Sequence, residues 1–241
     1  MGISAGADVV EDGLVFCVDA AGERSYPGTG TVWTDLAGEN NGTLTNGPTF
    51  SSANGGVIEF DGSDDNVDCG NQEQIQMTSA ITVTLWLKAN TVSSYTTAMA
   101  KSDGSNNGWT VQLRGADDEW RFWINFGSNT LGNGSNNGWY YAKYPKSWQD
   151  NGWHHFTGIW DGANKVVKIY IDSQAGSFNS GASPSSESSN FSDYDGSLKL
   201  GGQSNNANLF SGNISDVSIY DRAITADEVL QNYLAIRGRF Q

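Results

Sequence analysis

The chain has 241 residues and a formal charge of −14, from 27 acidic and 13 basic side chains. A surface so acidic repels phosphate backbones and anionic headgroups, which argues against nucleic acid or a membrane as partner. Apolar residues make up only 37%, so 9 Trp, 9 Tyr and 10 Phe must carry much of the core, and 30 Gly point to many tight loops.

Strand signals dominate along the chain. Leu14-Val15-Phe16-Cys17-Val18 ends in Asp19, and Val57-Ile58-Glu59-Phe60 ends at Asp61-Gly62. Ile81 to Lys88 alternates with period two. Ile81, Val83, Leu85 and Leu87 share one side, and Thr82, Thr84, Trp86 and Lys88 the other, as a strand with two different faces requires. Trp109 to Leu113, Trp120 to Asn125, His154 to Trp160, Val166 to Asp172, Ser197 to Leu200 and Ile214 to Tyr220 follow. Asn46-Gly47-Pro48, Asp103 to Gly108, Asp161-Gly162 and Asp195-Gly196 supply the turns between them. The stretch Gly176 to Asn190, rich in Ser, reads as a long surface loop.

One helix is signalled. Thr225 is its N-cap and Glu228 closes a capping box, with Ile224 and Val229 at the staple positions. Val229, Leu230, Tyr233 and Leu234 form its expected apolar stripe, and Gly238 its expected stop. The sum is an all-β, two-sheet antiparallel jelly-roll sandwich with one short C-terminal helix.

Five segments resemble the laminin-G-like, concanavalin-A-like domains of bacterial and phage surface proteins. They are Gly13 to Ala20, Tyr26 to Leu44, Phe60-Asp61-Gly62-Ser63-Asp64-Asp65-Asn66-Val67, Trp153-His154-His155-Phe156 and Gly212 to Thr225, in that order. Ala37-Gly38-Glu39 departs from the usual Ser-Gly-Asn. The resemblance implies one domain over 1–241, core about 13–235, with one concave and one convex sheet. The family it resembles spans glycan binding, adhesion and structural roles, so the resemblance by itself does not fix the function. The non-enzymatic expectation comes from the missing carboxylate pattern of a glycanase. Met1 to Gly6 and Ala235 to Phe240 resemble the flanks of marine tailed-phage virion proteins. They imply a virion-surface protein, made in the host cytoplasm without a signal peptide. Its expected partners are other virion proteins and a host-surface glycan, as a homo-oligomer or particle-bound. The alternative is a bacterial cell-surface adhesin.

Calcium takes six to eight oxygen ligands. Asp61, Asp64 and Asp65 fall within five residues, Asp35 sits in a second oxygen-rich loop, and Asp19 and Asp216 belong to first and last strands expected side by side. Each Asp also fits a plainer role as a turn cap. Trp139, Tyr141, Tyr144 and Trp148 cluster in a segment of weak strand character, either as an exposed sugar-stacking surface or as the small core of a loop. Three turns precede a Trp, at Trp109, Trp139 and Trp153. A retaining glycosidase needs two carboxyls ~5–5.5 Å apart. The nearest approach is Glu59-Phe60-Asp61, with Ser63 where a second Glu would stand, so no catalytic residue is assigned. His154 and His155 are adjacent and point to opposite faces of a strand, one expected inside and one outside. Cys17 and Cys69 read as two buried free thiols.

Overall fold

The computed structural model describes residues 8–127, 138–145, 147, 150–178 and 184–241. The strands are β1 (Leu14–Asp19), β2 (Val32–Trp33), β3 (Gly42–Thr45), β4 (Thr49–Ser51), β5 (Val57–Asp61), β6 (Asn66–Asp68), β7 (Ala80–Thr91), β8 (Thr96–Lys101) and β9 (Trp109–Arg114). There follow β10 (Glu119–Asn125), β11 (Trp139–Tyr144), β12 (His154–Asp161), β13 (Val166–Ile171), β14 (Gln174–Ala175), β15 (Ser177–Phe178), β16 (Lys199–Leu200) and β17 (Ser211–Tyr220), then helix α1 (Ala226–Ile236). They pair antiparallel into two sheets. One runs β14-β13-β12-β7-β17-β5-β4, with β1 also on β17; the other runs β15-β11-β10-β9-β8-β16-β6-β3-β2. The expected two-sheet sandwich is the observed fold.

Alternation builds the core between them. Ile81, Val83, Leu85 and Leu87 of β7 and Phe156 and Trp160 of β12 meet Trp109, Val111 and Leu113 of β9 and Trp120, Phe122 and Ile124 of β10. At Gly158 the sheets come so close that a Cβ would lie 2.5 Å from the Phe122 ring.

The opposite face of β7 is also buried, because α1 lies over it. Thr82 Oγ1 donates to Arg222 O (2.7 Å) and accepts from Ile224 N (3.1 Å), which fixes the entry to the helix. The capping box forms as the sequence predicts: Glu228 N donates to Thr225 Oγ1 (3.3 Å) and Thr225 N to Glu228 Oε2 (2.7 Å). The expected stripe is rotated. Val229 and Asn232 are buried, whereas Leu230 and Leu234 are 43% and 37% exposed. Asn232 turns inward because it joins two other segments, accepting from Val10 N (2.8 Å) and donating to Tyr220 Oη (3.0 Å). The helix ends at Ile236 and tightens into a 3₁₀ turn over Arg237–Arg239, so Gly238 is not its left-handed stop. Phe240 then stacks on Trp86, 4.4 Å between centroids.

His154 and His155 take opposite faces, yet both are buried, since α1 covers the side expected to be open. His154 Nδ1 and Nε2 contact Asp172 (2.9 Å) and Asp150 (3.1 Å). Burial holds His155 neutral, down at about 4. Cys69 is buried and Cys17 half-buried, both as free thiols; burial, with Asp216 next, pushes Cys17 up to about 12.

Candidate functional site

The site grows from the outer face of the nine-stranded sheet. Since Trp109, Val111 and Leu113 face the core, Thr110, Gln112 and Arg114 face out; since Trp120, Phe122 and Ile124 face in, Glu119, Arg121 and Trp123 face out. The register sets Trp123 between Thr110 of β9 and Tyr141 of β11. A hollow of about 220 Å³ opens there, lined by Tyr95, Gly104, Thr110, Gln112, Trp123, Trp139, Gln203 and Asn208.

Its walls are aromatic. Trp123 and Trp139 meet edge to face at 6.2 Å, and Trp123 lies 4.1 Å from the Tyr141 ring, tilted by 31°. Trp139 Nε1 donates to Ser105 O (2.8 Å), which fixes that indole against the loop before β9. Apart from the two indole N–H groups, the hydrogen-bonding side-chain groups of the lining are hydroxyl and amide. Gln112 Nε2 donates to Thr97 Oγ1 (3.3 Å), and Asn208 Nδ2 to Gln203 Oε1 (3.1 Å).

Beside the hollow lies an ion-pair ladder. Arg121 Nε donates to Glu119 Oε1 (2.7 Å), its second nitrogen contacts both Glu119 and Asp117, and Lys143 Nζ reaches Glu119 Oε2 (3.0 Å). The Arg121 guanidinium stacks 4.6 Å over Tyr141. Both oxygens of Glu119 are therefore engaged by cations.

Of the four aromatics singled out in the sequence, Trp139 lines the hollow and Tyr141 stands on the same face beside Trp123. Tyr144 turns the other way and packs against the core. Trp148 lies outside the described residues, as do Met1 to Gly6. The segment of weak strand character is strand β11, held by full pairing to β10. Of the three turn-plus-Trp elements, Trp109 is core, Trp139 is wall, and Trp153 packs 4.7 Å from Phe240. Sequence reasoning missed Trp123, Gln112, Tyr95, Gln203 and Asn208. The available signal was Trp123 itself, an indole on the side of β10 otherwise occupied by Glu119, Arg121 and Asn125.

The acidic candidates divide. Asp61, Asp64 and Asp65 come together in the turn between β5 and β6, ligand oxygens within 4.8 Å of one another. Ser63 N donates to Asp61 Oδ1 (2.7 Å), which lowers the pKa of Asp61, and Asp61 N donates to Asp65 Oδ2 (3.0 Å). Asp65 is the buried member, and burial raises its pKa, reinforced by its two acidic neighbours. The other three have different partners. Asp35 accepts from the backbone N–H of Cys17 (2.9 Å), Ala37 (3.0 Å) and Asn40 (3.1 Å), organising its loop. Asp19 and Asp216 do stand side by side on β1 and β17, but Arg239 donates to both oxygens of Asp19 (2.9 and 3.1 Å). Asp216 is driven up to about 7 by burial and then by Asp19.

The family model for concanavalin A-like lectin/glucanase superfamily domains, Laminin_G_3, matches residues 61–230, more than half of the chain. The chain belongs to that superfamily. No curated protein matches it in sequence. Among solved structures it is similar to Trypanosoma rangeli sialidase in complex with sialic acid (TM-score 0.65, 14% identity, 99% of this chain and 37% of that one). It is also similar to domain 4 of AbnA, a GH43 extracellular arabinanase from Geobacillus stearothermophilus, in complex with arabinotriose (TM-score 0.65, 18% identity, 91% and 98%). A third is the binding domain of botulinum neurotoxin DC in complex with SialylT (TM-score 0.66, 14% identity, 94% and 52%). The chain spans about a third of the length of the sialidase structures. At these identities the likeness is one of fold.

Proposed function

We propose that this chain is a non-enzymatic carbohydrate-binding domain whose ligand sits in the hollow between Tyr95, Trp123 and Trp139. The carrying observation is the hollow itself: indole faces set at an angle over neutral amides are the chemistry that stacks sugar C–H surfaces and bonds their hydroxyls. The arabinanase domain and the neurotoxin binding domain, similar in fold, are each recorded with a glycan. The non-enzymatic part is supported by Glu119, the carboxylate beside the hollow, whose two oxygens are both engaged by Arg121 and Lys143. A broad glycan array probed in calcium buffer tests the reading. We expect binding that Trp139→Ala weakens about tenfold, ~1.4 kcal/mol. An array blank throughout with folded protein overturns it, and so does release of reducing sugar from a bound glycan.

The proposal extends to a calcium ion at Asp61, Asp64 and Asp65, supported by three converging carboxylates that repel one another without a cation. Millimolar calcium should then raise Tm by several degrees in wild type and not in Asp64→Asn, read by calorimetry with and without chelator. The proposal also places the domain on the surface of a phage particle, assembled there with other virion proteins and facing a host glycan. The flanks Met1 to Gly6 and Ala235 to Phe240 support this. Mass spectrometry of purified particles from the source tests it, and finding the chain only on bacterial cell surfaces overturns it in favour of the adhesin.

A further inference from the structure

We infer that the hollow selects an uncharged sugar ring and disfavours acidic ones, an inference that rests on the carbohydrate-binding reading of the same hollow. The first support is the pairing of the nearby cations. Arg114 is held by Asp117, Arg121 by Asp117 and Glu119, and Lys143 by Glu119. A sugar carboxylate could recruit Arg121 only by taking it from Glu119. Both side chains are 4% exposed, and removing one partner of a buried pair strands the other charge. Arg121 is also clamped sterically, stacked over Tyr141 and Trp123.

The second support is the lining. Thr110, Gln112, Gln203 and Asn208 offer hydroxyl and amide groups and no net charge. Gln112 uses its amide N–H on Thr97, and among the described residues its Oε1 accepts nothing, which suits a sugar hydroxyl as donor. The third is the whole-molecule charge of −14, a field that lowers the local concentration of anionic ligands. Size limits the occupant as well. About 220 Å³ is smaller than the ~300–1,000 Å³ of sites for drug-sized ligands, and fits a single ring with its neighbours outside.

Matched glycan pairs test this on the full chain. Neutral oligosaccharides such as lactose would be titrated against the same cores capped with sialic or glucuronic acid, reading Trp fluorescence and calorimetric affinity. The expected result is that the neutral member binds at least tenfold tighter, and that Trp123→Ala, with an unchanged melting curve, loses at least tenfold. Acid-capped glycans binding as well as or better than their neutral partners, and still losing affinity in Trp123→Ala, would overturn the selectivity and leave the hollow as a glycan site. Binding of neither class, or binding indifferent to Trp123→Ala and Trp139→Ala alike, would overturn both. The wild-type pair comparison stands even if a variant does not fold. Glu119→Gln, which removes the anion shared by Arg121 and Lys143, should narrow the neutral preference at least fivefold; an unchanged ratio would overturn the charge argument.

Discussion

Asp216 is a residue whose chemistry the fold moves far from its sequence context. As one Asp among many it gives no hint of its pKa. In the fold it is buried beside Asp19 with its cation, Arg239, committed to that neighbour. Its folded pKa of about 7 lies above the ordinary carboxylate value, so the folded state holds its proton more tightly than the unfolded chain does. That contribution is complete below about pH 4 and is lost as pH rises toward 7. His155 acts in the opposite sense. Its folded pKa of about 4 lies below the ordinary imidazole value, so its contribution is complete above about pH 6.5 and is lost as pH falls toward 4. Asp216→Asn should therefore add on the order of 1–3 kcal/mol at pH 8. It should also leave a stability curve that climbs between pH 4 and 7. Urea titrations at a series of pH values read both; an unchanged curve would mean that Asp216 is ionised in the fold.

Among the elements, α1 shows how local and tertiary signals divide. Its start is coded locally: Thr225, Glu228 and the bidentate clasp of Arg222 on Glu228 (2.7 and 3.0 Å) lie within seven residues. Thr225→Ala should cost about 1 kcal/mol in chemical denaturation, the ordinary value of a lost N-cap. The buried face is not coded locally. Counting apolar side chains selects Leu230 and Leu234, whereas the helix buries Asn232, whose amide serves Val10 and Tyr220 together. Strand β11 is the converse case. Trp139-Tyr140-Tyr141-Ala142-Lys143-Tyr144 has no apolar-polar alternation, so its pattern names no face. Pairing to β10 then assigns Tyr140, Ala142 and Tyr144 to the core and Trp139, Tyr141 and Lys143 to the outside.

For the molecule as a whole, the distance between the sheets is the governing quantity. Gly158 on β12 is a point of close approach, where a Cβ would lie 2.5 Å from the Phe122 ring of β10. Gly158→Val should destabilise by about 1–3 kcal/mol through overpacking. It should weaken glycan binding too, since Phe122 and Trp123 are consecutive on β10 and a displaced ring on one face moves the wall on the other. Denaturation and binding measured on the same preparation separate these effects; full stability with full affinity would show that the sheets can part without cost.

The sequence alone determined the sandwich, the strands whose alternation is clean, the capped helix and the cluster of Asp61, Asp64 and Asp65. Each of these is written in neighbouring residues, where period, turn chemistry and capping act over a few positions. Tertiary structure alone decided the hollow. Tyr95, Gln112, Trp123, Trp139 and Asn208 come from five separate stretches of chain, and no local pattern ties them together. It also decided that Arg239 occupies Asp19 and that α1 closes over Trp86 and His155. Those contacts join residues up to 220 positions apart, and only the closing of the sheets brings them within reach.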